Sequence, residues 1–400
     1  MQDASPPPPL NGVRVVDFSR IIAGPLCTQQ LADLGADVIK IENPQSGDDT
    51  RRQTEPGIDG QSHFFLAFNR SKRSLALDVR TESGRDVVLK LLEQADVLVQ
   101  NFRPGVMERL GLGYDALRER FPKLIYVSIS AYGQVGPMSD RPGFDPVLQA
   151  ESGMMSLTGE PDGPPLRHPL SIVDTMTALQ AVGAINAALF ARQTSGRGQM
   201  IDLALFDVAV AALGNAGLYY LCSGELPARS GNSHMTSTPT NLFDTENDPI
   251  YMALGTDRLY RQLCEDVLDR PELADDPRFK SSADRLLNRP ELFTVLRDAF
   301  GAAPREHWLK KMRHLPAGPV RTVGDALDSE EVAAREMVTE TLNQNGNPVR
   351  LLGSPIKLSD SPLRDAICPP ELGADTDSIL TDLGVDSDTI AQWRQSGIIR

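Results

Sequence analysis

The chain has 400 residues, which is enough for two or more domains with sizeable hydrophobic cores. Its hydrophobic content of 40% and charged content of 24% are typical of a soluble globular protein. The net charge of -14 argues against a general nucleic-acid-binding protein, because such proteins usually present a basic surface. It leaves room for a local basic pocket that binds a phosphorylated ligand.

Cysteine and histidine placement favours a protein without disulfides or bound metal. The four cysteines are far apart and form no CxxC pair, which is typical of reduced thiols in the cytoplasm. The five histidines show no ligand spacing, so we expect no metal site. Residues 1–12 contain no basic region followed by an apolar run, and no apolar run of membrane-spanning length lacks polar residues. We therefore expect a cytoplasmic protein without a signal peptide or membrane contact.

Short β-branched runs alternate with helical patterns from residue 13 onward. The predicted strands are VRVVDF (13–18), ADVIKIE (36–42), RSLALDV (73–79), ADVLVQNF (95–102) and KLIYVSISAYG (123–133). A helix is predicted between the first two strands, closed by Gly35, and another begins at Thr81. Strands that alternate with helices predict an α/β fold with a parallel, doubly wound sheet.

Polar side chains follow several of these strands at the point where each one ends. In a doubly wound sheet the ligand lies at the carboxyl ends of the strands. The residues at those ends include Ser19, Arg20, Asn43, Arg80, Asn101 and Arg103. Guanidinium and amide groups suit a ligand that carries phosphates, although any one of these residues alone would be read as an ordinary polar loop residue.

The segment RHPLSIVDTMTALQAVGAINAALF (167–190) places one carboxylate, Asp174, at the start of a long apolar helix. Ser171 is the predicted N-cap, so Asp174 would lie in the first turn, where the free amides and the helix dipole favour an anion. The apolar residues that follow predict a helix buried in a large core. Asp174 is thus either a helix-start residue or a reactive group, and helix statistics alone favour the first.

The remaining sequence changes character near Gly224. GRGQMIDLAL (196–205) predicts another strand and residues 206–224 another buried helix, whereas LFDTENDPIYMALG (242–255) predicts a β-hairpin followed by helices. α/β character returns after residue 317, and the tail is predicted to hold a strand pair and two short helices. We therefore predict a large domain from residues 1–224, a smaller α+β domain from 225–316, and a segment from 317–400 that returns to the large domain.

Taken together, these blocks resemble the class III CoA-transferases, the CaiB/BaiF family of formyl-CoA and carnitine-CoA transferases. The resemblance covers nearly the whole chain. Besides the Asp174 segment it rests on LNGVRVVDFSRIIAGPLCTQQLADLGADVIKIENP, NRSKRSLALDV, ADVLVQNFRPGVMERLGLGYDAL, ISAYGQVGPMSDRPGFD, SGRGQMIDLALFDV and AGPVRTVGDAL.

The resemblance implies an interlocked homodimer in which each chain has a Rossmann-like large domain and a small domain. It also implies an aspartate nucleophile, which matches Asp174, and transfer of CoA from an acyl-CoA donor to a carboxylic acid acceptor. The intermediates would be a mixed aspartyl anhydride and an aspartyl-CoA thioester. The CoA thioester is a substrate, and no permanently bound cofactor is implied.

Further site residues follow from the same resemblance. Asp145 matches a second carboxylate that helps to orient the nucleophile. The positions that match CoA contacts are Ile22, Ala23, Asn43, Leu77, Arg80, Asn101, Phe102, Arg103, Arg109 and, more weakly, Arg141. Phe102 would stack on or wedge against the adenine and pantetheine, and the arginines would pair with phosphates.

The family also contains α-methylacyl-CoA racemases, which move an α-proton with a histidine and the aspartate. Phe144 stands where that histidine is expected and cannot carry a proton, so we place transferase ahead of racemase. A silent CoA-binding protein is disfavoured because Asp174 is present. Asn43 carries no charge where formyl-CoA enzymes are often basic, and SGNSHMTSTPTN (230–241) replaces a glycine-rich lid. We expect a different acceptor, with small dicarboxylic acids as a hypothesis.

Overall fold

The computed structural model of the protein describes residues 6–53 and 55–400. Residues 1–5, part of the segment in which no signal peptide is expected, lie outside this range. By its internal contacts the chain divides into two units. The first comprises Met1–Met154, His168–Leu218 and Glu330–Arg400, and the second comprises Met155–Arg167 and Tyr219–Ser329.

The secondary structure elements are as follows. The strands are β1 (Arg14–Asp17), β2 (Asp37–Glu42), β3 (Gly57–Ile58), β4 (Gln61–Ser62), β5 (Arg73–Ala76), β6 (Val97–Gln100), β7 (Ile125–Ser130), β8 (Met200–Ala204), β9 (Thr240–Phe243), β10 (Ile250–Ala253), β11 (Ala317–Pro319), β12 (Val338–Leu342) and β13 (Pro348–Leu352). The helices are α1 (Ala23–Asp33), α2 (His63–Phe68), α3 (Glu82–Leu92), α4 (Val106–Arg109), α5 (Tyr114–Arg120), α6 (Asp145–Glu151), α7 (Met154–Leu157), α8 (Ile172–Ser195), α9 (Leu205–Ala211), α10 (Gly214–Ser223), α11 (Asp257–Gln262), α12 (Glu272–Asp275), α13 (Ser282–Leu287), α14 (Arg289–Phe300), α15 (Arg305–Lys311), α16 (Val323–Leu327), α17 (Glu330–Ala334), α18 (Thr376–Asp382) and α19 (Ser387–Gln395), with a 3₁₀ turn at Asp49–Arg52 and a π-helical segment at Leu263–Val267.

A parallel sheet in the order β5–β2–β1–β6–β7–β8 forms the centre of the first unit. β1 lies in its middle, where Val15 is opposite Val38 of β2 and Val97 of β6. The predicted α/β fold with a parallel sheet is confirmed. Because parallel strands place their carboxyl ends at one edge, the segments that follow β1, β2, β5 and β6 meet there.

Helices cover both faces of this sheet. Val15 and Val16 are consecutive in β1 and fully buried, but they belong to two different hydrophobic clusters. The first cluster contains residues of α1, α6, α8 and α9, and the second contains residues of α3, α5, α18 and α19. Alternate side chains of a strand point to opposite faces, so a strand buried on both sides needs the continuous β-branched pattern seen in the sequence.

The last helices of the chain pack beside the edge strand β5. Leu380 and Ile399 share a buried cluster with Leu75, and the Asp78 backbone N–H donates to the Ile398 carbonyl oxygen at 2.8 Å. The predicted strand pair and two short helices of the tail are present as β12–β13 and α18–α19. The carboxyl-terminal residues therefore help to frame the strand ends after β5.

α8 is a core helix of the first unit along one face. Val173, Ala181 and Ile185 are buried against the sheet and its neighbouring helices. By length and composition alone α8 is apolar enough to cross a membrane, but a buried core helix passes the same test. The prediction of a helix buried in a large core is wrong in part, because Leu179 is 51% exposed and Phe190 is 73% exposed.

The helix predicted over residues 206–224 is broken in the structure. α9 ends at Ala211, and α10 begins at Gly214, where the positive φ of 49° is a conformation that glycine adopts without strain. The two helices are bent by 71° relative to each other. Within α10 the buried side chain is that of Ala216, so the second half is not the buried helix that the apolar composition suggested.

The second unit contains an antiparallel sheet, β11–β10–β9, with helices α11 to α15. The predicted hairpin is confirmed, with Ile250 opposite Phe243. β11 departs from the predicted boundary: the sequence places residues 317–319 in the segment that returns to the large domain, but Ile250 also lies opposite Pro319, so β11 completes this sheet. The chain returns to the first unit after Ser329.

Candidate active site

A pocket lies at the carboxyl ends of β1, β2, β5 and β6; we call it the Leu77 pocket. It encloses about 320 Å³. Its lining includes Arg20, Asn43, Leu77, Arg80, Phe102 and Arg109. The loops after four different strands therefore converge on one cavity, as the topology of a parallel sheet requires.

A second cavity, the Arg141 pocket, shares Arg20, Phe102 and Val106 with the first and encloses about 470 Å³. Its lining includes Arg20, Ile21, Asn101, Phe102, Arg103, Arg141 and Phe144. The two pockets together contain all the predicted CoA contacts except two. Ala23 begins α1 and Ile22 immediately precedes it; both are buried, with exposures of 2% and 5%, and the neighbouring Ile21 lines the Arg141 pocket.

The arginines of the two pockets differ in how far they are already neutralised. Arg80 donates to both carboxylate oxygens of Asp78, at 2.8 and 2.7 Å. Arg141 donates to Glu151 at 2.5 Å. Among the described residues, Arg103 and Arg109 form no ion pair, so their charges are available to a bound anion. Sequence alone ranks these arginines equally, because it does not show which carboxylates fold against them.

The predicted contacts Asn43 and Asn101 both have structural partners. The Asn43 side-chain oxygen accepts from the backbone N–H groups of Gln45 and Ser46, which fixes the turn after β2. Asn101 binds both backbone polar groups of Arg20. Its side-chain oxygen accepts from the Arg20 N–H at 2.9 Å, and its amide nitrogen donates to the Arg20 carbonyl at 2.8 Å. These asparagines shape the pocket walls.

Asp145 caps the start of α8. Its Oδ2 accepts from the backbone N–H groups of Val173 at 2.7 Å and Asp174 at 3.1 Å, and its Oδ1 accepts from the Gln149 amide at 2.6 Å. Ser171 occupies the N-cap position, but its side chain makes no capping hydrogen bond. The predicted serine cap is therefore wrong: a carboxylate from the first residue of α6 takes its place.

Asp174 lies in the first turn of α8, as predicted. Its side chain is half-buried, and no described residue donates a hydrogen bond or contributes a cation to its carboxylate. Burial, together with the nearby charge of Asp145, raises its pKa from the ordinary value to about 7. Desolvation and a like charge thus outweigh the amides and dipole of the helix start, which we expected to favour the anion.

The Arg141 pocket and the aspartate pair are joined through one residue. Phe144 lines the pocket, is 63% exposed and immediately precedes Asp145, whose side chain is buried against the start of α8. Asp174 itself lines neither pocket. The pocket wall and the helix cap are therefore consecutive in the chain.

Sequence reasoning missed a buried ion pair at the Leu77 pocket, whose lining includes Asp48. Lys40 and Asp48 form an ion pair at 3.0 Å, with side chains that are 1% and 0% exposed. The available signal was a lysine flanked by two isoleucines within the predicted strand ADVIKIE, because a buried charge requires a partner. As for metal ligands, within residues 6–53 and 55–400 no group of three or more His, Cys, Asp or Glu side chains could hold an ion.

The fold and the strand-end pockets are those of an α/β enzyme that binds its ligand at the edge of a parallel sheet. The chain belongs to CoA-transferase family III, whose model matches residues 10–376. It is 37% identical over 389 residues to the succinate–glutarate CoA-transferase of Agrobacterium fabrum, covering 94% of this chain and 96% of that one. It is 40% identical over 355 residues to the acetyl-CoA:oxalate CoA-transferase of Acetobacter aceti, covering 88% and 91%.

A crystal structure of a CaiB/BaiF family protein from Brucella suis has the same fold. Its TM-score is 0.84 at 38% identity, and the match covers 94% of this chain and 100% of that one. The resemblance seen in the sequence is thereby confirmed. The protein is a CoA-transferase, an enzyme class whose substrates are CoA thioesters.

Proposed function

We propose that the protein transfers CoA from an acyl-CoA donor to a carboxylic acid acceptor, with Asp174 as the nucleophile. One observation carries this assignment: Asp145 caps α8, and the Asp174 carboxylate has no partner among the described residues. An aspartate kept for helix stability would accept an N–H itself. Asp174 lies where a capping residue would lie, but its side chain accepts no backbone N–H from the described residues.

The reaction follows as a series of acyl exchanges. The Asp174 carboxylate attacks the donor thioester carbon; a C–O bond forms, the C–S bond breaks, and the CoA thiolate leaves. The thiolate attacks the aspartyl carbon of this anhydride, which gives an aspartyl-CoA thioester and releases the donor acid. The acceptor carboxylate then repeats both steps in reverse, leaving as the new acyl-CoA and restoring Asp174. No oxidant and no net proton is needed, and covalent catalysis divides the exchange into easier steps.

The surroundings of Asp174 suit this chemistry. Partial burial limits the water that would hydrolyse an anhydride. A carboxylate with a pKa of about 7 is a stronger base, and hence a stronger nucleophile, than an exposed aspartate, yet a large fraction is ionised at neutral pH. Asp145 supports this chemistry in two ways. It fixes the start of the helix that carries Asp174, and its charge helps to raise the pKa of Asp174.

The two strand-end pockets are the proposed CoA site. Arg103 and Arg109 would pair with its phosphates, because neither has an ion-pair partner in the described chain. Phe102 lines both pockets and offers a ring face to the adenine or the pantetheine. Arg80 is a weaker phosphate contact, because it is already bound to Asp78.

Small dicarboxylic acids are the proposed acids. Succinate, glutarate and oxalate, which appear in the names of the two relatives, are all of this type. A matrix of CoA donors against mono- and dicarboxylic acceptors tests the point directly. We expect exchange with dicarboxylic acids at much lower acceptor concentrations, and activity confined to monocarboxylic acids would remove this part of the proposal.

We also propose a homodimer. The exposed face of α8 carries an apolar stripe at helical spacing, formed by Leu179, Gly183, Ala187 and Phe190. A stripe of this kind on a long helix favours contact with another helix surface, here one from a second copy of the chain. Sedimentation at several concentrations would show a dimer, and a monomer under assay conditions would contradict it.

Racemase activity is not favoured. It needs a second proton carrier opposite the aspartate, and Phe144 at the expected position has none. The test that separates these functions is Asp174→Ala, with Asp207→Ala as the matched control, because Asp207 is an exposed aspartate in the first turn of α9. We expect Asp174→Ala to abolish CoA exchange while CoA still binds, and the control to remain active. Exchange that survives Asp174→Ala would overturn the assignment.

A further inference from the structure

We propose that the buried Lys40–Asp48 ion pair is a positioning device that holds residues 19–21, the β1 loop, in the conformation that presents Arg20 to the CoA site. The inference rests on the proposed function, since it takes the two strand-end pockets as the CoA site. Lys40 lines neither pocket. Asp48 borders the Leu77 pocket, but its side chain is 0% exposed, so its carboxylate acts on the ligand through the loop and not by direct contact.

The pair holds the loop at both of its ends. Lys40 Nζ donates to the Ser19 carbonyl oxygen at 2.6 Å. The Ile21 N–H donates to the Asp48 carboxylate, with distances of 3.2 and 3.3 Å to its two oxygens. Lys40 and Asp48 are 3.0 Å apart, so one ion pair connects the residue before Arg20 to the residue after it.

Arg20 itself is held between these two points. Asn101 binds its backbone N–H and carbonyl, at 2.9 and 2.8 Å, and its guanidinium lies 5.1 Å from the centre of the Phe102 ring. Arg20 is the cationic residue that lines both the Leu77 and the Arg141 pockets, and its guanidinium forms an exposed ion pair with Asp49 at 3.4 Å. A shift of this short loop would therefore move a charge in both cavities at once.

The loop needs to be held because its conformation is unfavourable. Ile21 has a φ of 71°, in the left-handed region. A β-branched side chain is strained there, because its Cβ approaches the neighbouring backbone. Left to local preferences, the Ile21 backbone would leave this region, and the hydrogen bond to Asp48 keeps it in place.

Stability does not account for the pair. Both side chains are essentially inaccessible, at 1% and 0% exposure, and removing two charges from water offsets much of their attraction. A well-packed apolar pair would serve the core as well. An apolar pair cannot bind the Ser19 carbonyl and the Ile21 N–H, the two contacts that hold the loop on either side of Arg20.

The experiment compares Asp48→Asn with the double variant Asp48→Asn/Ile21→Gly, measuring KM for acyl-CoA, kcat and thermal stability. Asp48→Asn should raise KM about tenfold with kcat changed less than about twofold. In this variant part of the free energy of acyl-CoA binding is used to order the strained loop, so the net affinity for acyl-CoA falls. Adding Ile21→Gly should lower KM again by at least about threefold, since glycine adopts this φ without strain. A merely structural pair predicts no such recovery.

Asp33→Asn is the matched control. Asp33 forms a buried ion pair with Arg70, with side chains 5% and 7% exposed, at the other end of α1. We expect it to lose stability without a change in KM. Ile21→Pro is the second probe in case Asp48→Asn folds poorly: proline cannot adopt the observed φ and has no N–H for Asp48, so KM should rise at least about tenfold.

The outcomes separate the two proposals. If the unaltered enzyme binds no CoA in equilibrium dialysis, the proposed CoA site fails and this inference fails with it. If the enzyme binds CoA but Ile21→Pro leaves KM unchanged, or Ile21→Gly fails to restore KM in the Asp48→Asn background, the inference alone is overturned. A KM increase in Asp33→Asn equal to that in Asp48→Asn would also overturn it, because any buried pair would then suffice.

Discussion

Asp145 caps the helix in which Asp174 lies: the Oδ2 atom of Asp145 is 3.1 Å from the backbone nitrogen of Asp174. This contact has two consequences for the same residue. It satisfies the backbone N–H groups of Val173 and Asp174, so the Asp174 side chain is not needed to cap the helix. It also places a second carboxylate nearby, which helps to raise the pKa of Asp174 to about 7.

The pH dependence of catalysis follows from that pKa. The nucleophile must be ionised, so we expect kcat/KM to fall about tenfold per pH unit below pH 7 and to level off above it. Asp145→Asn keeps an acceptor oxygen but removes the charge, so the acid limb should move to lower pH. The shift should be partial, because burial is the larger cause and remains. An acid limb that does not move in a pH–rate profile would contradict the role of Asp145.

The raised pKa of Asp174 should also appear in the pH dependence of the free energy of unfolding. A carboxyl whose pKa is raised on folding binds its proton more tightly in the native state, so its contribution to stability is present at low pH and is lost as pH rises through 7. Asp174→Asn, which is neutral at all pH values, should therefore increase the free energy of unfolding at pH 8 by roughly 1–3 kcal/mol. Urea unfolding at pH 4 and pH 8 would test this, with Asp207→Asn as the exposed control and no gain at pH 8 as the contrary result.

The helix cap predicts an unusual contrast between two substitutions. Ser171→Ala should change the free energy of unfolding by less than about 0.5 kcal/mol, because the serine side chain makes no capping hydrogen bond. Asp145→Ala should cost about 2–3 kcal/mol, since it removes a buried carboxylate that accepts three hydrogen bonds. Denaturant titration measures both, and equal losses would show that the serine shares the capping role.

Binding of CoA should depend unequally on the pocket arginines. Arg103→Ala should raise KM for the donor about tenfold or more, because a charge-assisted contact with a phosphate is lost. Arg80→Ala should have a smaller effect, because Arg80 is already paired with Asp78. Repeating both assays with a donor that lacks the ribose 3′-phosphate shows which arginine contacts that group. A larger effect for Arg80 would reverse the assignment.

Most of the fold could be predicted from local sequence. β-branched runs between helical patterns correctly located the strands of the parallel sheet, and Asp174 lies in the first helical turn as expected. The errors arose where distant residues decide the outcome. The residue that caps α8 is Asp145, 29 positions from Asp174. No local pattern reveals this cap, and only the family resemblance singled out Asp145, as an orienting carboxylate. The helix predicted over 206–224 breaks for a local reason, because Gly214 adopts a positive φ. The apolar composition of this segment gave no sign of the break.

The central claim is that Asp174 carries CoA during the reaction. Incubation with a donor acyl-CoA and no acceptor, followed by rapid acid quenching and peptide mass spectrometry, measures this most directly. We predict a CoA thioester on the peptide that contains Asp174, removed by adding the acceptor acid and lacking in Asp174→Ala. Turnover without any CoA adduct on that peptide, or an adduct on another residue that reacts with the acceptor, would contradict the account.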